Sequence, residues 1–568
     1  VMFKKIYLLC TLMALNLNPL SVDNVSSQQV INPKLDSFLE TLKPSLEKIN
    51  DNIYWAEFFD YSNFGFIIAQ DRVIAIDCGW WPGAVTKALQ ELRKITNKPI
   101  THIIYTHGHA DHLGGCAALI GGDENVEIYA SKDFERYRDE IVSSKLPFIA
   151  RRANDTFGLL LPEGKNGNAG TGAGPAKYQG KAGYFTPTKF ISAGDILKID
   201  EVTLEVIGAP SDIDDGLAFY MPSQKILFAG DALLRIGPPI STPRNERGRD
   251  PMLWLRTLQT FTTYDIDKAL LGHGTYYSGS EEINANLHSS MDAIQFIYDY
   301  IVRGLNAGVS REDLIANIKL PENLQRNPNL SFYYHSLKWV TRGVYNNLAG
   351  WYGDDYRELF EIHPNDEAQM LVNTIGGVER VIQISSEYAS QGNCNFAARL
   401  VSNVLRMDEN NQQAKTLMIK CMRDVAYKAE SSSQRNLLLT GAASLEGTYD
   451  RSKSQPFVGV VPLLASVPND RILGMLTTKI DPAETANVDE KIILHIMPEN
   501  KTYLMNIRNS VLRINEQPVK TGIPTASIYK LDLIEVVVGM KSFDSALKEG
   551  SLKTAYLDDV TRFFEFLN

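Results

Sequence analysis

Residues 106–115 read Thr-His-Gly-His-Ala-Asp-His-Leu-Gly-Gly, and His107, His109, Asp111 and His112 within them are all metal-ligand types. The chain has only nine histidines in 568 residues, so three in six positions is a concentrated signal. The apolar run Ile100–Tyr105 ahead of it reads as a buried strand, and Cys116–Ile120 behind it as the start of a helix. Alternate strand residues share a face, so His107 and His109 aim to the same side, while Asp111 and His112 sit on the following turn. Two imidazoles on one point, with a carboxylate and an imidazole on its neighbour, form the donor set of a dinuclear hydrolytic metal site.

Two further strands end on ligand-type residues, Lys225-Ile-Leu-Phe-Ala-Gly-Asp231 and Lys268-Ala-Leu-Leu-Gly-His273. A carboxylate left unpaired at the end of such a strand would be costly to bury. The decapeptide is the signature of the metallo-β-lactamase superfamily, and the rest of the chain resembles its alkylsulfatase branch. That resemblance implies a bridging carboxylate at Asp231 and a last ligand at His273. Lactamases, thioesterases and lactonases of the superfamily add a third histidine on the first metal, but none occurs here from Leu113 to Gly272. Alkylsulfatases carry a glutamate there, and the matching loop, Ile207 to Tyr220, places Asp212 at that position. Asp231 also stands where the family has glutamate. Asp214 and Asp215 read as a solvated acidic turn. The resemblance thus assigns His107, His109 and Asp212 to one metal, Asp111, His112 and His273 to the other, and Asp231 to both.

Four histidines and three aspartates suit two zinc ions, and carboxylate-rich sets also accept manganese or iron. Three aspartates nearly cancel two divalent cations, and the residual charge of about +1 favours an anionic substrate and an activated water. Ser241–Asp250 adds Arg244, Arg247 and Arg249 in a chain of formal charge −10. A guanidinium fork matches sulfate or phosphate oxygens. The resemblance places Arg244 on the sulfate and, in Val344–Tyr352, a sulfate-reaching tyrosine at Tyr345. Arg247 and Arg249 read as charged-loop residues paired by Glu246 and Asp250. The glycine-rich run Gly164–Gly183 resembles the family loop that overhangs the site, although its composition alone reads as a flexible insertion. The implied catalytic residues are Asp111, Asp231, Arg244 and Tyr345, and the implied reaction is hydrolysis of an alkyl sulfate to alcohol and sulfate. Rival readings are a lactone, thioester or phosphate hydrolase of the same fold, and a non-catalytic periplasmic lipid-binding protein. His102, His288, His335, His363 and His495 read as structural.

At about 150 residues per domain the chain holds three or four units. Its 44% hydrophobic and 22% charged residues are ordinary for globular protein, and no basic patch points to nucleic acid. Residues 1–22, with two lysines ahead of an apolar run, read as a signal peptide directing export, expected to be into a bacterial periplasm. Leu9 before Cys10 is a poor fit to a lipidation site, and no other stretch reaches membrane-spanning length. In an oxidising compartment Cys78 with Cys116, or Cys394 with Cys421, can bond, and buried free thiols fit equally well.

Residues 50–300 alternate strands (Phe64–Ala69, Val73–Asp77, Ile103–Tyr105, Val126–Ala130, Leu204–Gly208, Leu217–Tyr220) with helices such as Trp81–Ile95, the α/β pattern of an αββα sandwich. Residues 301–450 read as all-α, with a tetratricopeptide-like helix pair from Ser386 to Lys415 that must dock on a neighbour or a second subunit. The resemblance makes this a dimerisation domain and the protein a homodimer. Residues 455–568 read as α+β, with strands Val458–Leu464, Lys491–Met497, Thr502–Ile507 and Val511–Ile514 and a helical tail near Leu531–Met540. They resemble the sterol-carrier-protein-like domain that ends alkylsulfatases.

Overall fold

The computed structural model describes residues 30–567, apart from 123–124, 142, 176, 245–248 and 452–459. The expected signal segment 1–22, Cys10, Glu246 and Arg247 lie outside the described residues.

Two sheets face each other in the first unit. One has seven strands in chain order: Ser45–Lys48, Ile53–Glu57, Phe64–Ile68, Val73–Ile76, Ile100–Ile104, Glu127–Ser131 and Lys189–Ile191. The first four pair antiparallel and the remainder parallel. The other has six strands, with Ile226–Gly230 between Leu217–Met221 and Lys268–Leu271. Strand alternation sorts the side chains: Ile74 and Ile76 meet Val206, Phe219 and Phe228 between the sheets, while Val73 and Ala75 pack outward. The outward layer meets Val85, Ala88 and Leu92 of helix Pro82–Arg93 on one side. On the other, Trp254 and Leu258 of helix Pro251–Phe261 and Leu287 of helix Ser280–Asn306 cover Ala229, Ala269 and Leu271. This is the expected αββα sandwich, and its ligand-bearing loops leave one edge.

Helices follow, and Val378–Ser390, Cys394–Met407 and Gln412–Lys428 pack around Val381, Ala397, Val401 and Cys421, where the tetratricopeptide-like pair was expected. The last unit is a five-stranded sheet with Asp489–Met497 between antiparallel Lys501–Arg508 and parallel Thr525–Tyr529. One expected strand is absent: the described part of Val458–Leu464 lies in helix Val460–Ser466. A short apolar run has no period to separate strand from buried helix, and Pro462 sits in the first turn, where its missing N–H costs nothing. Among the described residues no helix is long and apolar enough to cross a membrane. Cys78 and Cys116 form a disulfide, whereas Cys394 and Cys421 are buried free thiols.

Candidate metal centre and active site

Strand Ile100–Ile104 delivers His107 and His109, and the short helix Ala110–Leu113 presents Asp111 and His112. Asp212 follows strand Val202–Gly208, Asp231 follows Ile226–Gly230, and His273 follows Lys268–Leu271. These seven residues come together as two groups, His107, His109, Asp212 and Asp231 beside Asp111, His112 and His273. His109 Nδ1 lies 3.1 Å from Asp212 Oδ2, and His107 Nε2 lies 4.0 Å from Asp231 Oδ2. Asp231 also faces the second group, 3.4 Å from His112 Nε2 and 3.3 Å from His273 Nε2. Asp111 Oδ2 sits 3.4 Å from His112 Nε2 and 3.3 Å from His273 Nε2. Asp231 is thus placed between the groups, as a bridging carboxylate must be.

The donor set fits a pair of divalent cations. Each imidazole has its outer nitrogen occupied: His107 Nδ1 by Thr106 Oγ1 at 3.0 Å, His112 Nδ1 by Asp77 Oδ2 at 2.8 Å, and His273 Nδ1 by the Tyr61 carbonyl at 2.9 Å. His109 Nε2 lies 3.5 Å from the Tyr137 hydroxyl. The remaining nitrogens converge inward, the arrangement that fixes tautomer and ring orientation in metal sites. Buried His112 Nε2 and Asp231 Oδ1 have no hydrogen-bond partner of their own. Burial first, and the charge of His112 second, push His107 down to about 3, so it stays a neutral donor. Against the desolvation of its burial, Asp231 and Asp111 push His273 up to about 10, which shows how strongly the clustered carboxylates demand positive charge.

Of the acidic turn, Asp214 is exposed as expected but Asp215 is buried. The Ala209 N–H bond to the Gly216 carbonyl closes the hairpin and tucks Asp215 against Gly108, where burial pushes its carboxyl up to about 7. Arg249 is likewise not a surface pair. It is 6% exposed, donates from Nη1 to the Pro239 carbonyl at 2.6 Å, and sets Nη2 3.5 Å from Asp212 Oδ2. Asp250 instead caps helix Pro251–Phe261 through the amides of Met252 and Leu253, which fixes Arg249 at the helix entry. Arg244 lines the same small cavity as Asp212, Asp231 and Arg249, its guanidinium 5.0 Å from the Phe157 ring centre.

Tyr345 is placed elsewhere. Its hydroxyl, on helix Leu337–Ala349, donates to Asp354 Oδ2 at 3.1 Å, and the aromatic wall of the metal cavity is built by Tyr61 and Tyr334. The glycine-rich run is packed rather than flexible: Arg435 donates to the carbonyls of Lys165 and Gly167, and Ser432 to that of Thr171. It brings Ala173 to the cavity, as an overhanging loop would. Sequence reasoning missed Asp77 and the Tyr61 carbonyl; an aspartate ending strand Val73–Ile76 beside the histidine strand was the available signal for the first. His102, His288, His335, His363 and His495 join neither ligand group. A second, mainly apolar cavity of about 660 Å³, lined by residues that include Phe38, Leu42, Phe58 and Tyr333, shares Ala173 and Ile236 with the first.

Comparison with known proteins matches three successive segments of the chain. Residues 58–273 match the family description "Metallo-beta-lactamase superfamily", 310–448 "Alkyl sulfatase dimerisation" and 461–568 "Alkyl sulfatase C-terminal". A linear primary-alkylsulfatase of Pseudomonas sp. is 26% identical over 506 residues, 86% of this chain and 94% of the relative. An alkyl/aryl-sulfatase of Saccharomyces cerevisiae is 25% identical, covering 86% of this chain and 81% of its own. The solved structure of the inverting sec-alkylsulfatase of Pseudomonas sp. superposes with a TM-score of 0.86 at 20% identity, over 95% of this chain and 87% of that one. Because the three family segments follow one another in a single chain, and the sandwich carries the histidine motif at its open edge, the protein belongs to the alkylsulfatase family of the metallo-β-lactamase superfamily.

Proposed function

We propose that the protein is a sulfuric ester hydrolase that splits alkyl sulfates into an alcohol and inorganic sulfate. The observation that carries this reading is one ligand cluster with guanidinium groups on its rim and an apolar cavity sharing its wall. His107, His109 and Asp212 would hold one divalent ion, Asp111, His112 and His273 the other, and Asp231 both. Zinc suits these donors, and when bound such a pair supplies Lewis-acid polarisation and an activated water. Arg244 would bind the sulfate oxygens, and its contact strengthens as negative charge grows on them in a water-poor site. Arg249 would hold Asp212 in place, and Tyr61 and Tyr334 would exclude water. The apolar cavity takes the alkyl tail. The fixed inward aim of every imidazole has no purpose in a protein that only binds lipid.

The same reading includes a homodimer, supported by the dimerisation segment and by exposed Trp351, Tyr356, Phe360 and Ile362 near its start. It also includes export to an oxidising compartment such as a periplasm, supported by the character of residues 1–22 and by the Cys78–Cys116 disulfide. The test is a panel of linear and secondary alkyl sulfates assayed with wild type and Arg244→Ala. Loss of the charge-assisted contact is expected to lower kcat/KM on the order of a hundredfold. Equal turnover of dodecyl sulfate by the variant would refute the sulfate-binding role. Cleavage of phosphate or carboxylic esters with no sulfate ester turned over would refute the substrate class.

A further inference from the structure

The Cys78–Cys116 bond lies directly behind the ligand cluster, and nothing in the proposed reaction uses it. Its two ends join the elements that set the second metal group. Cys78 follows Asp77, whose carboxylate holds His112 Nδ1 at 2.8 Å and the Thr106 amide at 2.7 Å. Cys116 opens helix Cys116–Ile120, which follows the turn of Asp111 and His112. The two backbones are also laced together: Cys78 N–H donates to the His112 carbonyl at 2.8 Å, and Gly115 N–H to the Gly79 carbonyl at 3.1 Å. Only glycine permits this approach at position 115, because a Cβ there would lie 2.3 Å from the Cys78 carbonyl oxygen. Asp77 itself has φ 59, a left-handed conformation that a non-glycine residue keeps where its surroundings over-determine it. Both cysteines are fully buried, and the cross-link spans 38 positions that contain His107, His109, Asp111 and His112.

We propose that this disulfide is a positioning element for the metal centre, holding the Asp77 strand end against the ligand turn so that His112 presents Nε2 inward. A two-electron reduction by a dithiol, which is itself oxidised to a cyclic disulfide, returns Cys78 and Cys116 to thiols and leaves the Asp77–His112 contact to hold the turn without covalent support. The effect falls on the Asp111, His112 and His273 group and hardly on the His107, His109 and Asp212 group. It rests on the two-metal ligand assignment proposed above, and because its readout is zinc binding it is tested separately from the sulfate ester reading.

The experiment compares metal-free full-length protein with the disulfide intact and after reduction by dithiothreitol in mild denaturant, refolded without oxygen. Alkylation counts the thiols, circular dichroism reports the fold, and zinc is titrated against a chromogenic chelator; Cys78→Ala/Cys116→Ala runs in parallel. The expected result is a folded reduced protein in which one zinc binds about 10–100-fold more weakly, as after loss of an outer support to a metal ligand, with reoxidation restoring it. Two zinc ions held as tightly by the reduced, folded protein would overturn the proposal. So would a reduced protein and a double variant that both fail to fold, since the bond would then brace the whole domain rather than the ligand turn.

Discussion

Asp77→Asn isolates the support of one metal ligand at constant side-chain volume. Asp77 is 1% exposed and accepts three hydrogen bonds. Oδ1 takes the Thr106 N–H at 2.7 Å, while Oδ2 takes the Thr106 hydroxyl and the His112 Nδ1–H, each at 2.8 Å. Asparagine offers a single acceptor oxygen. With its amide nitrogen at the Oδ1 place, two donors meet at Thr106; with it at the Oδ2 place, two donors meet at His112. Either way a buried donor loses its partner, at about 1–3 kcal/mol, and the imidazole loses a charge-assisted contact. At about 1.4 kcal/mol per tenfold, zinc affinity of the Asp111, His112 and His273 group should fall about 10–100-fold. Thr106→Val is the comparison: it removes the hydroxyl that donates to Asp77 and accepts from His107 Nδ1, so it should weaken the His107, His109 and Asp212 group while costing the Asp111, His112 and His273 group about tenfold or less. Competitive zinc titration measures both variants, with circular dichroism to confirm the fold. If folded Asp77→Asn binds two zinc ions as tightly as wild type, the orientation of His112 does not depend on this carboxylate and the reasoning is wrong.

Glu57 is buried with Oε1 accepting the Tyr276 N–H at 2.7 Å, and burial raises its carboxyl from 4.5 to about 7. Between those values the folded state holds a proton that the unfolded state has lost, so stability falls as pH rises through that window, by up to about 3 kcal/mol from this group. Glu57→Gln keeps the acceptor and should flatten that part of the urea-midpoint profile; an unchanged slope from pH 5 to 8 would exclude Glu57 as its source. Ile236→Trp, at the wall shared by the two cavities, should lower kcat/KM for dodecyl sulfate several-fold more than for a short-chain sulfate; an equal effect on both would move the tail site elsewhere. Trp351→Asp/Phe360→Asp places charge in the exposed apolar run and should give a monomer by light scattering at micromolar concentration, whereas an unshifted dimer would put the interface on another face.

The parts of the site that were legible in the sequence are those fixed by local geometry. His107 and His109 alternate in the loop just past strand Ile100–Ile104 and Asp111 and His112 occupy the next turn, so their clustering is readable from spacing, whereas Asp231 and His273 follow apolar strands and are assigned through the family resemblance. The supports were not legible, because proximity in space creates them: Asp77 reaches His112 across 35 positions and Tyr61 reaches His273 across 212. Arg249 shows the same limit, since three arginines in one loop look alike until a helix cap turns one of them inward. Tyr345 and Tyr334 are both buried aromatics of one region, but Tyr334 precedes helix Leu337–Ala349 and lines the metal cavity, whereas Tyr345 lies within the helix and turns to Asp354, a difference that residue type alone does not carry. The sheets of the sandwich were readable from strand alternation, whereas Val460–Ser466 carried no period and took its helical form from packing.

The two short carboxylates then follow from the backbone around them. An aspartate reaches about one bond less far than the glutamate that the family places at either position, so each needs its main chain closer to the site. At Asp231 the main chain is tied to the neighbouring strand end, where Gly272 N–H donates to the Gly230 carbonyl at 2.8 Å. A Cβ at Gly272 would lie 2.1 Å from Asp231 Oδ1 and 2.9 Å from His112 Cε1, so any side chain there would push the bridging carboxylate out of the cluster. At Asp212 the compensation is electrostatic: the Arg249 guanidinium and His109 face the same oxygen, Oδ2, at 3.5 Å and 3.1 Å and fix its direction. Against the desolvation of its burial, His109 and then Arg249 hold the Asp212 carboxyl well below the usual carboxylate range, so it stays an ionised donor. Lengthening either aspartate to glutamate would therefore not restore a more effective site but overfill one already drawn in, with Asp231→Glu the more damaging because a packed strand end, unlike an arginine side chain, has no room to yield.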